Sequence, residues 1–588
     1  MDSKFLAVAA GKEPADLAVV NGKIVNVYSG EIYEGGVAVA GDKIAAIGDV
    51  AYAIGEGTQV IDAKGRYLTP GFLDGHLHPE STSLAIRSFA ELVLKHGTTG
   101  IMTDLHEVGV VGGLEAIEAV LEEAADTELA LYFVVPSHVP FAPNLETSGG
   151  EFNPEIIKKA LARPDAVGLS ECVGSYILTR YQPLFDGIEL AREAGKSLQG
   201  HLPFLNGKEL NQCLVLGISS DHESMTEEDA LSRVRGGASL MLRESSVGRN
   251  LLKTLKPVVE RGLDTTNVSI VTDDLHTVDA VENGHLDARV RTALKGGLDF
   301  VKAIQMVTLN AARAFHLDNR IGGLAPGKRA DINITTGPED FQVCSVVAGG
   351  KLVSEEGKFL HPYAPAKHKP CLLNTMKLKR PCVPEDFMIR VDKDAKAAKI
   401  KGMKTLDWTP VTSEILLELP VRDGVVQCDP ERDVLYIAQV ERYGKNGNIG
   451  KAFMAGFDLK YGAVASSVGH DNHNILVLGT NFEDMAAAVN RVAELGGGQV
   501  AVHDGAVTAE VAFPVLGLMS DDSAENVAEA KRKLNAEIRK MGCERIKTPF
   551  MFLSFICLAA MPDYAVTDKG FVNVWTQQVE DPILEVLK

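Results

Sequence analysis

Between residues 69 and 319 the chain repeats one rhythm: a short apolar run, a break, then a longer stretch whose apolar residues recur at helical spacing. About 250 residues of this alternation match the size and order of a (β/α)₈, TIM-like barrel. Such a barrel also fixes where chemistry can occur. The C-terminal ends of its strands open on one common mouth, and active sites are built there.

The barrel segment is flanked by a different texture. Residues 15–49, "ADLAVVNGKIVNVYSGEIYEGGVAVAGDKIAAIGD", alternate Val, Ile and Tyr runs with Asn-Gly, Ser-Gly and Gly-Asp pairs, which read as hairpins. The same texture returns in 322–337 and 343–360. Segments 1–68 and 320–365 are therefore expected to join as one composite β-sandwich beside the barrel at 69–319. Residues 366–385 are rich in Pro and Lys and read as a linker. Residues 386–588 mix strand and helix patterns and form a third, α+β unit. Within it "FEDMAAAVNRVAEL" (482–495) is an amphipathic helix stopped by three glycines. A chain of 588 residues is too long for one core, so this partition is of the expected size.

A net charge of −20 argues against nucleic acid or an anionic membrane as partner. No apolar run approaches the length of a membrane span, and the first residues, "MDSKFLAVAAGKEPADL", lack the apolar core of a secretory signal. None of the eight cysteines falls in a C-x-x-C pair, so neither a disulfide framework nor a thiolate zinc site is indicated. A reducing cytoplasm is the expected setting. A homo-oligomer is the expected state.

Polar residues of metal-binding type stand where the barrel strands should end. "GFLDGHLH" gives His76 and His78, "VGLSE" gives Glu171, and "LQGH" gives His201. "ISSDHE" gives His222 and Glu223, and "VSIVTDD" gives Asp273 and Asp274. Residues two apart on a strand share a face, so His76 and His78 both point into the barrel. A single histidine at a strand end is more often a hydrogen-bonded structural group. Four histidines and two carboxylates, each ending an apolar run, are not explained that way. Nitrogen and oxygen donors without thiolate suit Zn, Mn or Fe(II), and sequence does not choose among them.

The ordered set (HxH, then a carboxylate, His, His and Asp) resembles the amidohydrolase superfamily. Longer phrases are similar to the bacterial-type adenine deaminases: "GHLHPES", "HGTTGIMTDLHE", "VPSHVPFAP", "SDHESMTEEDAL", "VTDDLHTVDAVENGHLD" and, in the third unit, "GAVASSVGHDNHNILVLGTN". The likeness covers nearly the whole chain and makes 386–588 an adenine-deaminase-type C-terminal domain. The chain departs from the family at Thr82 and Ser83 and at His138, where the pattern has Cys.

The resemblance implies two divalent ions and a purine base as substrate. His76, His78 and Asp273 would hold one ion, His201 and His222 the other, and Glu171 would bridge them where many relatives carry a modified lysine. Hydroxide generated there would attack C6 of adenine and release ammonia, with Glu171, Asp273 and Glu223 as candidates to move protons. Glu80, Asp274 and Arg243 are expected to contact the base. Asp104, His106 and Glu107 either orient the ligand imidazoles or hold a further ion. His470, Asp471 and His473, in "SSVGHDNHN", are expected to lie on a loop that approaches the barrel mouth. The alternative activities are deamination of an N6-substituted adenine and hydrolysis of a cyclic amide.

Overall fold

The computed structural model describes residues 3–406, 411–560 and 563–588. Eight parallel strands lie side by side in strict chain order: β1 (Phe72–Asp74), β2 (Thr98–Thr103), β3 (Ala130–Pro136), β4 (Ala166–Val173), β5 (Ser197–His201), β6 (Ser220–Asp221), β7 (Ser239–Arg243) and β8 (Val268–Val271). Every residue of β2 and β4 is buried. That is what a parallel sheet with helices outside and packed side chains inside requires. The sheet closes where β1 meets β8. Leu77 bridges to Asp273 in parallel, and the Asp273 N–H donates to the His76 carbonyl at 3.0 Å. Deeper in the seam Thr272 Oγ1 donates to Asp74 Oδ2 at 2.7 Å.

The helices between strands begin on local signals. Asn153 accepts from the N–H groups of Glu155 and Ile156, with Pro154 as the first helical residue. Thr226 and Asp229 cap each other's backbone ahead of Glu227–Gly236, which stops at Gly237 in the left-handed region.

The two flanks join in one nine-stranded sheet. Its junction is the antiparallel pairing of Ile332–Thr335 with Tyr67–Pro70. One hairpin expectation fails. Asn21-Gly22 is not a turn but a bulge inside the strand Leu17–Asn26, marked by a register shift between Val19 and Gly22. The bulge lets this strand change partner, from Gln59–Asp62 before it to Tyr67–Leu68 after it. Both faces of the sheet are covered. Val37 and Val39 pack on one side, Ala38 and Ala40 on the other.

Residues beyond 396 build a ten-stranded sheet and a separate three-stranded one. Helix Phe482–Glu494 is capped by Asn481 and buries Met485, Ala488, Val489 and Val492 on the larger sheet. Segment 366–385 is fastened to its surroundings: the Lys377 N–H donates to the Arg442 carbonyl at 2.7 Å, and Cys382 exchanges backbone bonds with the Asn490 amide at 2.8 and 2.9 Å. The C-terminal region also grips the barrel mouth. Ser520 pairs with the loop after β1, through Ser520 N–H to the Ser83 carbonyl at 2.9 Å and Ala85 N–H to the Ser520 carbonyl at 2.8 Å. Asp568 accepts from Thr147 N–H and Oγ1 at 2.8 and 2.7 Å.

Candidate active site

Glu171 sits at the centre of the mouth. Its Oε2 is 2.8 Å from His201 Nδ1, and its Oε1 is 3.4 Å from His76 Nε2, 3.5 Å from His222 Nε2 and 3.9 Å from His78 Nε2. Asp273 Oδ1 lies 3.6 and 3.7 Å from the same nitrogens of His76 and His78. The rings of His76 and His222 stack at 3.8 Å. All six expected ligands thus meet in one cluster, five of them buried and His201 partly exposed at its edge.

Local backbone explains how the two carboxylates reach inward. Glu171 and Asp273 both adopt the left-handed region, at φ 53° and 54°. For an L-residue other than glycine this conformation is strained, and such strain concentrates where side-chain aim matters. At Glu171 the register between β4 and β5 slips, from Leu198 opposite Leu169 to Gly200 opposite Cys172. The slip breaks the period-two alternation at the residue that must turn into the mouth.

The donor set suits divalent ions. His76 Nε2 and His201 Nδ1 are buried and face the carboxylates of Glu171 and Asp273, so as neutral rings they would present lone pairs to the space those carboxylates share. The ligand atoms of His76, His78 and Asp273 lie within 4.8 Å of one another, as do those of His76, Glu171 and His222. His78 is steadied from behind: its Nδ1 is 3.1 Å from Asp104 Oδ1, and Asp104 Oδ2 accepts from Ser170 Oγ at 2.9 Å. A carboxylate on the far nitrogen fixes the ring and its tautomer.

The remaining expected residues surround this cluster. Arg243 Nη1 contacts Glu223 Oε1 and lies 3.0 Å from Asp273 Oδ2, so Arg243 clamps two carboxylates. Burial raises the Glu223 carboxyl above its ordinary range against the pull of Arg243. Burial also opposes ionisation of Glu171 and Asp273. At Glu171 the charge and hydrogen bond of His201 prevail, and at Asp273 the hydrogen bond to His76 and the charge of Arg243 do, so both stay well below the usual carboxylate range.

Glu80 accepts from the Glu107 N–H at 3.1 Å, leaves Oε2 unpartnered, and is pushed by burial to about 7. Asp274 takes a hydrogen bond from Ser81 Oγ and is raised by burial and by Asp273. His106 is buried with neither ring nitrogen hydrogen-bonded. His138 is stacked on Phe141 and pushed down to about 4 by burial, which keeps it neutral.

Glu107 faces the third domain rather than the central cluster. Its carboxylate meets His470 Nδ1 at 2.9 Å and contacts His473 Nε2, so the loop after residue 469 does reach the barrel. Sequence reasoning missed Asp74, which takes backbone bonds from His76 and Thr272 under the cluster, and His285, which contacts Thr98 and Thr272 Oγ1 at 2.8 and 3.4 Å. Asp74 had a signal: it precedes His76 by two and shares its face.

Fold and site together define a barrel hydrolase of the amidohydrolase family, whose model matches residues 67–353. The adenine deaminase C-terminal domain matches residues 409–578. Adenine deaminase from Clostridium botulinum (strain Langeland / NCTC 10281 / Type F) is 38% identical over 576 residues, spanning 97% of this chain and 96% of its own. The adenine deaminase of Moorella thermoacetica is 37% identical over 582 residues, 99% and 98% of the two chains. Adenine deaminase 3 of Rhizobium meliloti is 38% identical over 577 residues, 97% and 96%. The chain belongs to the adenine deaminase family.

Proposed function

We propose that this chain hydrolyses adenine to hypoxanthine and ammonia at the barrel mouth. The observation that carries the reading is the convergence of four imidazoles on Glu171, with Asp273 against two of them. His76, His78 and Asp273 would hold one divalent ion and His201 and His222 a second, with Glu171 between them. Mn, Fe(II) and Zn all suit these donors. Bound there, such ions lower the pKa of water and make hydroxide available near neutral pH.

The chain's own residues supply the rest. Addition of hydroxide at C6 requires a proton on a ring nitrogen, and expulsion of the amine requires a second. Glu223 is the better carrier: its raised proton affinity suits repeated gain and loss, whereas Glu171 and Asp273 are held as carboxylates. Arg243 positions both Glu223 and Asp273. Glu80 and Asp274 accept hydrogen bonds from the purine's N–H groups, each pre-set by a donor of the chain, Glu107 N–H and Ser81 Oγ.

The reading extends to the whole molecule. Segments 1–68 and 320–365 support the barrel at 69–319, 366–385 joins it to the domain at 386–588, and that domain roofs the mouth. Among the described residues no helix is long and apolar enough to cross a membrane. A cytoplasmic setting and a free base as substrate fit the eight free cysteines and the acidic charge. The test is ammonia release by apoprotein reloaded with Mn²⁺, Fe²⁺ or Zn²⁺, with adenine, N6-methyladenine and a dihydropyrimidine side by side. Adenine should be preferred and chelator should abolish turnover; ring opening of the dihydropyrimidine would overturn the assignment.

A further inference from the structure

We infer that Glu107, His470 and Asp471 form a further metal site, at the junction of the barrel and the C-terminal domain, for a divalent ion such as Zn²⁺ or Mn²⁺, with His473 holding the Glu107 carboxylate from the side. Ligand atoms of Glu107, His470 and Asp471 lie within 4.8 Å of one another. His470 Nδ1 is 2.9 Å from Glu107 Oε1 and 3.3 Å from Asp471 Oδ1, while His473 Nε2 contacts the other Glu107 oxygen. Ligands held by one ion at about 2.1 Å stand about 3.4 Å apart, close to the 3.3 Å between His470 Nδ1 and Asp471 Oδ1. Glu107, His470 and His473 are all at least 96% buried.

Hydrogen bonding alone serves this cluster poorly. His470 Nδ1 carries at most one N–H, yet two carboxylates approach it. Burial makes the repulsion between those carboxylates costly: burial and Asp471 weigh against ionisation of Glu107, and within the protein the charge of His470 is what opposes them. A metal ion among them would relieve the repulsion with two charges in place of one and use the His470 imidazole as a neutral donor. A second observation points the same way. His106, next in sequence to Glu107, is 4% exposed, has both ring nitrogens unpartnered, and lies near enough to Asp471 to help hold that carboxyl down.

An ion here would fasten the two domains at one point. The Glu107 N–H also holds Glu80, so the fastening would bear on a residue of the purine pocket. The junction cluster shares no ligand with the barrel cluster.

The test uses crystals of the full chain grown with Zn²⁺ and anomalous difference maps on both sides of the zinc edge. A peak among Glu107, His470 and Asp471 is expected, and it should vanish in Asp471→Asn and in His470→Gln. Plasma mass spectrometry of dialysed protein should show one Zn²⁺ fewer per chain in each variant. Barrel peaks with nothing at the loop, or a loop peak that survives both substitutions, would overturn the inference and leave the barrel reading intact. A loop peak with an empty barrel would do the reverse. The wild-type map decides even if a variant fails to fold.

Discussion

Lys531 offers a stability prediction that can be worked from its surroundings. It lies on helix Ala524–Lys540, is 3% exposed, and donates from Nζ to Ser83 Oγ at 2.9 Å and to the Thr82 carbonyl at 3.5 Å, with the Phe513 ring 5.5 Å away. Burial pushes its ammonium from 10.5 down to about 7. In the unfolded chain the amine holds its proton to about pH 10.5, whereas in the fold it loses it near pH 7. Between those limits the unfolded state binds more protons, so stability rises with pH.

At about 1.4 kcal/mol per pH unit, the cost at pH 7 is about 4 kcal/mol, and it fades as pH approaches 10.5. Lys531→Met removes this cost and gives up the Ser83 hydrogen bond, worth about 1 kcal/mol. The variant should therefore be more stable by about 3 kcal/mol near pH 7. The assay is thermal unfolding of both proteins across pH values from about 7 to about 10. The variant should melt higher at the acidic end, and the gap should close toward the alkaline end. A gap that does not change with pH, or a variant that melts lower near pH 7, would refute the reasoning.

Three further outcomes concern the site. Asp104→Asn leaves His78 without its anionic support and should weaken metal retention roughly 10–100-fold in competition against a chelator; unchanged retention would mean that Asp104 does not act through His78. Glu223 carries protons only if it can lose them, so the wild-type rate should rise with pH through a pKa above the ordinary glutamate range. That limb should be absent in Glu223→Gln, with kcat lower by roughly 10²–10⁴, and an identical profile in both would remove Glu223 from proton transfer. A chain ending at residue 385 leaves Glu107 without His470 and His473 and strips Ser520 and Lys531 from the loop after β1. It should lose adenine turnover, and full activity in a folded truncated protein would make the C-terminal domain dispensable.

The parts legible in the sequence were those with a local signature. Barrel rhythm shows in the alternation of apolar runs and helical spacing, and His76 and His78 announce a shared face by being two apart. Turns at Ser29-Gly30 and Gly41-Asp42 fall between paired strands as the residues suggest. Asn21-Gly22 carries the same signature and makes a bulge, because the strand must serve two parallel partners in succession. That demand arises from strands some 40 residues away. Arg243 was legible as a polar residue at a strand end, but its clamp on Glu223 and Asp273 depends on β6, β7 and β8 lying side by side. Glu107 and His470 are 363 positions apart, and no spacing rule joins them. Segment 366–385 shows the same limit. Pro and Lys report the absence of helix or strand periodicity, not the absence of attachment.

The meeting of β1 and β8 sets an order of assembly. His76 and Asp273 are among the first and last contributors to the cluster, and the bond between their backbones is part of what closes the circle of strands. A nascent chain that has released His76 and His78 must be extended by about 200 residues before Asp273 emerges, and further still before Ile332–Thr335 can pair with Tyr67–Pro70. Synthesis at about 5–20 residues per second makes that interval at least about ten seconds. During it the early histidines are exposed to any free cation in the cell. Correct loading must therefore wait until Asp273 has emerged, and an ion trapped on the chain before then would be a natural source of misfolded protein.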